Sequence, residues 1–322
     1  MNQRVGRSSI CLAQPVCVIA GATIVGKKEG EGPLGALFDM VGEDDLFGCK
    51  TWEEAESNLQ KDAVYMVMEK AGWKAEDVSY LFAGDLLGQC IATSFGISAY
   101  NIPLFGVYGA CSTCGEALTL GAVMAAGGYA EHVVCVTSSH FASAEKEFRF
   151  PLDYGNQRPL SASWTVTGSG AFALGLNQKC RAHITGMTPG PAAADTIERH
   201  LEDFHVQPQE YDRIITGDLG SVGQTVLIDL LREKGIDIAG RHMDCGIEIF
   251  DADAQDTHAG GSGCGCSAVT LAAYILPKLE SGEWKKILFL PTGALLSKTS
   301  FNEGKSVPGI AHAVVLESPV VK

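Results

Sequence analysis

The chain has 322 residues, enough for two cores of about 150 residues each, and its 46% hydrophobic content excludes a disordered or fibrous protein. Its 24 Lys and Arg stand against 38 Asp and Glu, a formal charge of −14, which repels nucleic acid and anionic headgroups and excludes a nonspecific nucleic-acid binder. The 11 cysteines are scattered through a large apolar chain, so they read as reduced, packed thiols of a cytosolic protein rather than a disulfide scaffold.

In chain order, the first apolar stretch, Ile10 to Val25, is broken by Gln14 and Pro15 and continues as VCVIAGATIVG. It reads as a buried strand, not a signal segment, and no window reaches the 18 or so apolar residues of a membrane span. The next element, TWEEAESNLQKDAVYMVMEKAG, is a helix with Thr51 as N-cap, Glu54 completing a capping box and Gly72 closing it. Asp77 to Gln89 then returns as Tyr211 to Gln224, each an apolar strand ending in Gly-Asp-Leu: Gly84, Asp85, Leu86 and Gly217, Asp218, Leu219. Two further pairs repeat in the same order. The Cys111 to Gly115 turn opens a helix followed by the strand HVVCVTS, as Cys264 to Cys266 opens one followed by KILFLPTG, and GSGAFALG from Gly168 matches GIAHAVVLE from Gly309. An ordered repeat implies duplication. Strands apolar on both faces, such as Val133 to Val136 and Ile287 to Leu290, imply a sheet covered on both sides. The expected fold is therefore α/β, two similar halves at 1–178 and 179–322 forming a layered α/β/α/β/α core.

Cys111, between an apolar run and a helix start, sits where backbone donors and the helix end lower a thiol pKa. That is how an acyl-accepting nucleophile is presented, and equally where a small residue packs. Cys111-x-x-Cys114 lacks a second ligand pair and a thioredoxin context, so no metal or cofactor is assigned. The glycines around Cys264 and Cys266 permit close backbone approach, for packing or for lining a cavity. No G-x-x-x-x-G-K-S/T or strand-borne G-x-G-x-x-G is present. The segment Phe148 to Thr165 mixes Arg149, Asp153, Tyr154, Arg158 and Trp164, a composition suited to a flat anion held by stacking and guanidinium bonds; the plainer reading pairs Arg158 with Asp153 and puts Trp164 in a seam. His140, His183, His258 and His312 are candidate bases that spacing alone does not bring to Cys111.

The run YGACSTCGEALTLGAVMAAGGYAEHVVCVTSSH resembles the thiolase and β-ketoacyl synthase superfamily, and the match places Cys111 at its nucleophile. More closely, GKKEGEGPLGALFD, FRFPLDYGNQRPLSASWTVTGSGA, GGSGCGCSAVT and PTGALLS resemble a stage V sporulation protein family of that superfamily, over nearly the whole chain. That resemblance implies synthesis in the forespore cytosol and binding of dipicolinic acid, free or as its calcium chelate. It further implies support of dipicolinic acid uptake into the developing endospore and its release in germination, and peripheral association with the inner spore membrane beside membrane proteins of the same operon. Homodimers are usual in the superfamily. The superfamily's catalytic set is incomplete here. The strand RIITG ends at Gly217 and Asp218 where condensing enzymes carry a histidine, the Gly-rich turn offers Cys264 or Cys266, and the closing strand carries Thr167 in place of an Asp. Without an imidazole the thiol lacks a base. The leading expectation is a noncatalytic dipicolinic acid binder with Arg149, Arg158 and Trp164 on the ligand, Cys111 and Asp218 on the cavity floor, and Cys264 and Cys266 nearby. The alternative is an acyl-thioester enzyme in which Cys111 is acylated with His183, His258 or His312 as base; a scaffold in a membrane complex is compatible with the first.

Overall fold

The computed structural model describes residues 3–148, 158–176 and 179–320. The apolar run at the start of the chain is one long strand, β1 (Ser9–Val25). The capped helix follows as α1 (Trp52–Ala71), with the Thr51 side chain accepting from Glu54 N–H and Gly72 in the left-handed region at φ 72°. The capping box is only half made, because the Glu54 carboxylate accepts from Lys50 N–H, one residue before the cap. Then come β2 (Tyr80–Asp85), β3 (Leu104–Gly106), α2 (Thr113–Ala126), β4 (His132–Ser139), α3 (Phe141–Phe148), the two-residue β5 (Trp164–Thr165) and β6 (Gly168–Gly175). The second half repeats the plan with β7 (Ala182–Gly190), α4 (Ala193–Phe204), β8 (Arg213–Thr216), α5 (Gly220–Glu233), β9 (His242–Asp244), the short β10 (Gly261–Ser262), α6 (Cys264–Thr270), β11 (Lys286–Leu290) and β12 (Gly309–Glu317). Helix α6 continues through a π turn over Leu271–Ile275 into Leu276–Glu280, where Pro277 has no N–H for the regular ladder.

The strands pair in the order β9-β8-β11-β12-β7-β1-β6-β4-β2-β3. Each half supplies five, with equivalent strands at equivalent places, so the sequence repeat is a structural one. The halves join through β1 and β7, antiparallel with Cys17 opposite His183. Helices lie in three layers. α1 covers β1, β4 and β6 from outside, α4 covers β7 and β12, and between the two halves α2 and α6 run as a central layer. Side-chain alternation explains why the strands read as unbroken apolar runs. On β4, Val133 and Cys135 face the central layer with Leu118, Phe172, Val269 and Phe289, whereas Val134 and Val136 face α1 with Leu59 and Val64. Each such buried Leu or Phe contributes about 1.5–3 kcal/mol. Glycine lets the central layer approach closely: a Cβ on Gly265 of α6 would stand 2.5 Å from Gly168 O and 2.6 Å from Ser139 Oγ.

Candidate functional site

The repeated strand-turn-helix unit brings two chain segments to one point. After β2 and β3 the chain turns through Ala110, a non-glycine at φ 49°, and presents Cys111 just before the first turn of α2. From the other half, the turn after β8 presents Asp218, whose carboxylate faces the Cys111 thiol; Ser262 Oγ, 3.9 Å from Cys111 Sγ, touches both. One carboxylate oxygen also accepts from Ser262 Oγ at 2.9 Å and Gly263 N–H at 3.0 Å, and the other from Thr292 Oγ1 at 3.0 Å. Gly293 permits this convergence: a Cβ there would lie 3.2 Å from Cys111 N.

The electrostatics run opposite to the expected helix-end activation. Burial, and then the charge of Asp218, hold the Cys111 thiol well above its ordinary pKa; burial likewise raises Asp218, against the hydrogen bonds from Ser262, Gly263 and Thr292 that favour its ionised form. A helix end worth a fraction of an elementary charge does not outweigh a full carboxylate in contact. Among the described residues no histidine hydrogen-bonds Cys111. His312 Nδ1 meets Ser112 Oγ at 3.2 Å, with its pKa lowered to about 4 by burial. His258 is held by Pro159 O and Asp256, His140 by Asp45 O, and His183 by Cys17 and Cys180.

Cys264 and Cys266 are fully buried. Their thiols donate to Ser138 O at 2.8 Å and Gly217 O at 3.5 Å, which is the packing role. Cys264 joins Leu86, Ala110 and Ala144 in a small apolar cluster against which Cys111, Phe148 and Leu295 pack. Phe148 and Leu295 in turn line a cavity of about 510 Å³ with Tyr108, Glu147 and Lys298.

Arg158 and Trp164 occupy a second, adjacent place. β5 and β10 form a parallel ladder in which Trp164 N–H donates to Gly260 O and Val166 N–H to Ser262 O, both at 2.8 Å. Ser262 therefore points its hydroxyl to Cys111 and Asp218 while its backbone carries the Trp164 strand. The indole stacks on Phe141 with centroids 3.8 Å apart, and Lys28 Nζ and the Arg158 guanidinium lie 4.3 and 4.8 Å from its centroid. Arg158, with only 13% of its side chain exposed, pairs with Asp256 of the second half at 3.7 Å and donates to its carbonyl; its buried Nη1 has no hydrogen-bond partner among the described residues. Arg149 and Asp153 lie outside the described residues, so the expected Arg149 contact and the Arg158–Asp153 pair have no geometry here. Trp164 and Phe141 wall a cavity of about 520 Å³ with Lys27, Lys28, Glu29, Glu43, Asp44 and Asp45. Glu29 is buried, accepts from Thr167 N–H at 2.9 Å, and is pushed by desolvation up to about 7. Of the site residues expected from sequence, Trp164 lines this cavity, and Cys111 and Asp218 meet across the β5–β10 ladder at Ser262. Lys28, Glu29, Phe141, Ser262 and Thr292 were not singled out from sequence. A charge run such as KKEGEG reads as a solvated loop, and only the presence of Ser262 and Thr292 in the blocks GGSG and PTG pointed towards them.

A duplicated five-layer α/β fold with a cysteine at the head of a central helix defines a thiolase-like protein. Solved structures share that fold: the tetronic acid condensing enzyme AbyA1 (TM-score 0.62, 14% identity, 94% of this chain and 99% of that one), 3-oxoacyl-[acyl-carrier-protein] synthase III of Aquifex aeolicus (0.55, 15%, 94% and 99%) and OleA of Xanthomonas campestris (0.55, 14%, 98% and 99%). Within that class the chain belongs to the stage V sporulation protein AD (SpoVAD) family, whose model matches residues 6–317. It is 38% identical to stage V sporulation protein AD of Bacillus subtilis strain 168, over 97% of each chain. No helix among the described residues is long and apolar enough to cross a membrane.

Proposed function

We propose that this sporulation protein is a noncatalytic dipicolinic acid binder, supporting uptake of dipicolinic acid with calcium into the developing endospore and its release in germination. The observation that carries the noncatalytic part is the Asp218 carboxylate set against the Cys111 thiol, both in contact with Ser262 Oγ: a carboxylate stands where a nucleophilic thiol needs a base, and it opposes thiolate formation. The cavity at Trp164 supports the ligand. A planar aromatic dianion asks for an apolar wall and a few convergent cations; Phe141, Trp164, Lys27 and Lys28 line the cavity, and the Arg158 guanidinium, 4.8 Å from the indole centroid, adds to the positive field. The rim carboxylates Glu43, Asp44 and Asp45 repel a bare dianion but suit a calcium ion bearing it, since calcium takes six to eight oxygen ligands. The calcium chelate is therefore the favoured cargo. The protein acts beside membrane proteins of its operon at the inner spore membrane. Homodimerisation is supported by β3, the last strand of the sheet among the described residues, with Leu104 and Phe105 exposed along it.

Calorimetric titration of the protein with dipicolinic acid, with and without calcium, tests this, with benzoate and an acyl-CoA as comparison ligands. Saturable binding that strengthens with calcium and weakens by about 10-fold or more in Arg158→Ala or Trp164→Ala is expected. Acylation by acyl-CoA that disappears in Cys111→Ala would establish the acyl-thioester enzyme instead. No binding under either condition would leave the scaffold role.

A further inference from the structure

The seam where the two halves join carries a cluster of two thiols and an imidazole. Cys17 on β1 and His183 on β7 are direct partners across the antiparallel ladder, which sets their side chains side by side on one face of the sheet. Arg181 N–H donates to Val18 O and holds the connection before β7 against β1, which returns Cys180 to the same spot. One ligand atom from each of Cys17, Cys180 and His183 lies within 4.8 Å of the others. Cys180 Sγ is 3.6 Å from His183 Nδ1 and 3.5 Å from Nε2, so it lies beside the ring, and Cys17 Sγ is 3.9 Å from Nδ1. With zinc bonds of about 2.3 Å to sulfur and about 2.0 Å to nitrogen, the tetrahedral angle separates neighbouring S and N ligands by about 3.6 Å. The three side chains thus lie within the span of such a tetrahedron, and a turn of the His183 ring that aims one nitrogen between the two sulfurs would complete three of its corners. Cys17 is buried while Cys180 and His183 are half-buried, so the fourth corner faces the side that water reaches.

We propose that Cys17, Cys180 and His183 bind one borderline-soft divalent cation of the zinc type, through two thiolates and the His183 imidazole, with water as fourth ligand. Sulfur donors favour zinc and disfavour hard cations such as calcium, so this site is separate from any that handles a calcium-borne cargo. Because β1 belongs to one half and Cys180 and His183 to the other, the ion staples the central ladder, and its binding free energy adds to the folded state.

The full-length protein, stripped with a chelator, is titrated with Zn²⁺ against a chromophoric chelator, and with Co²⁺ while thiolate-to-cobalt charge-transfer absorption is recorded. One equivalent per chain is expected, together with that absorption and a zinc-dependent rise in Tm; Cys180→Ser and His183→Ala lose all three, and Cys49→Ser, outside the cluster, keeps them. Absence of stoichiometric zinc binding by the unmodified protein overturns the proposal, as does binding that survives in both Cys180→Ser and His183→Ala. A Cys17–Cys180 disulfide formed on mild oxidation of protein that takes up no metal overturns it too, and makes the cluster a thiol redox pair.

Discussion

Replacing Asp218 by Asn removes the charge that faces Cys111 and leaves the shape of the site. The amide oxygen still accepts from Ser262 and Gly263, and Thr292 turns its hydroxyl to accept from the new NH2. A unit charge at ~4 Å and an effective dielectric of ~20 is worth about 4 kcal/mol. The Cys111 residue is partly exposed, and solvent screening lowers that figure towards about 1.4 kcal/mol. The thiolate fraction near neutral pH then rises by about 10-fold or more. Iodoacetamide labelling across pH 6–10, read at Cys111 by peptide mapping, measures it directly. The onset of labelling should move to lower pH in Asp218→Asn, and Cys111→Ala should abolish that peptide's signal. A labelling profile that coincides with the unmodified protein's, or moves to higher pH, would refute the claim that Asp218 suppresses the thiolate.

Glu56 is buried, accepts from Ser138 Oγ and Ser143 Oγ, and is raised by desolvation and by Asp85 to about 8. Because the folded state holds this proton more tightly than the unfolded one, stability falls as pH rises from the unfolded pKa near 4.5 to about 8; Glu56→Gln should flatten that decline, raising Tm at pH 8 by about 2 °C or more with little change at pH 5. Phe172, 1% exposed in the central core, should cost about 3–5 kcal/mol on replacement by Ala, read as a shift in the denaturant midpoint without loss of ladder signals. Phe105→Lys should convert a dimer to a monomer in light scattering, since a charge on an exposed strand edge opposes edge-to-edge pairing; an unchanged mass for a dimeric protein would place the interface elsewhere.

The duplication was legible because it repeats local signals. A strand ending in Gly-Asp-Leu occurs at Gly84 and at Gly217, and both stand at the same place in their halves. What the repeat hides is that its two aspartates do different work. Asp85 stays within its own half, accepting from Leu87 N–H and from Thr93 N–H and Oγ1, whereas Asp218 crosses to Cys111. That difference arises from tertiary approach, which strand patterning does not encode. The helix-end argument for Cys111 failed for the same reason, since the dominant charge comes from a residue 107 positions away in sequence (218 − 111). The Trp164 site was read in part: its aromatic and guanidinium members stood together in one segment, while Phe141 and the KKEG loop arrived from elsewhere. Cys17 and His183 lie 166 positions apart, and only the β1–β7 register makes them neighbours.

Many small-molecule binders open two lobes about a flexible hinge. Here β1 and β7 weld the halves into one sheet, and the central helices bury apolar side chains from both at once. Parting the lobes would break that ladder and wet the central core, a step comparable to unfolding rather than to breathing. Guest exchange in such a body falls to side-chain rotation and small displacements of surface segments, on nanosecond to microsecond scales. Under the proposed binding role the frame would stay fixed through ligand exchange, and a partner would meet the same rigid outline whether the site is filled or empty.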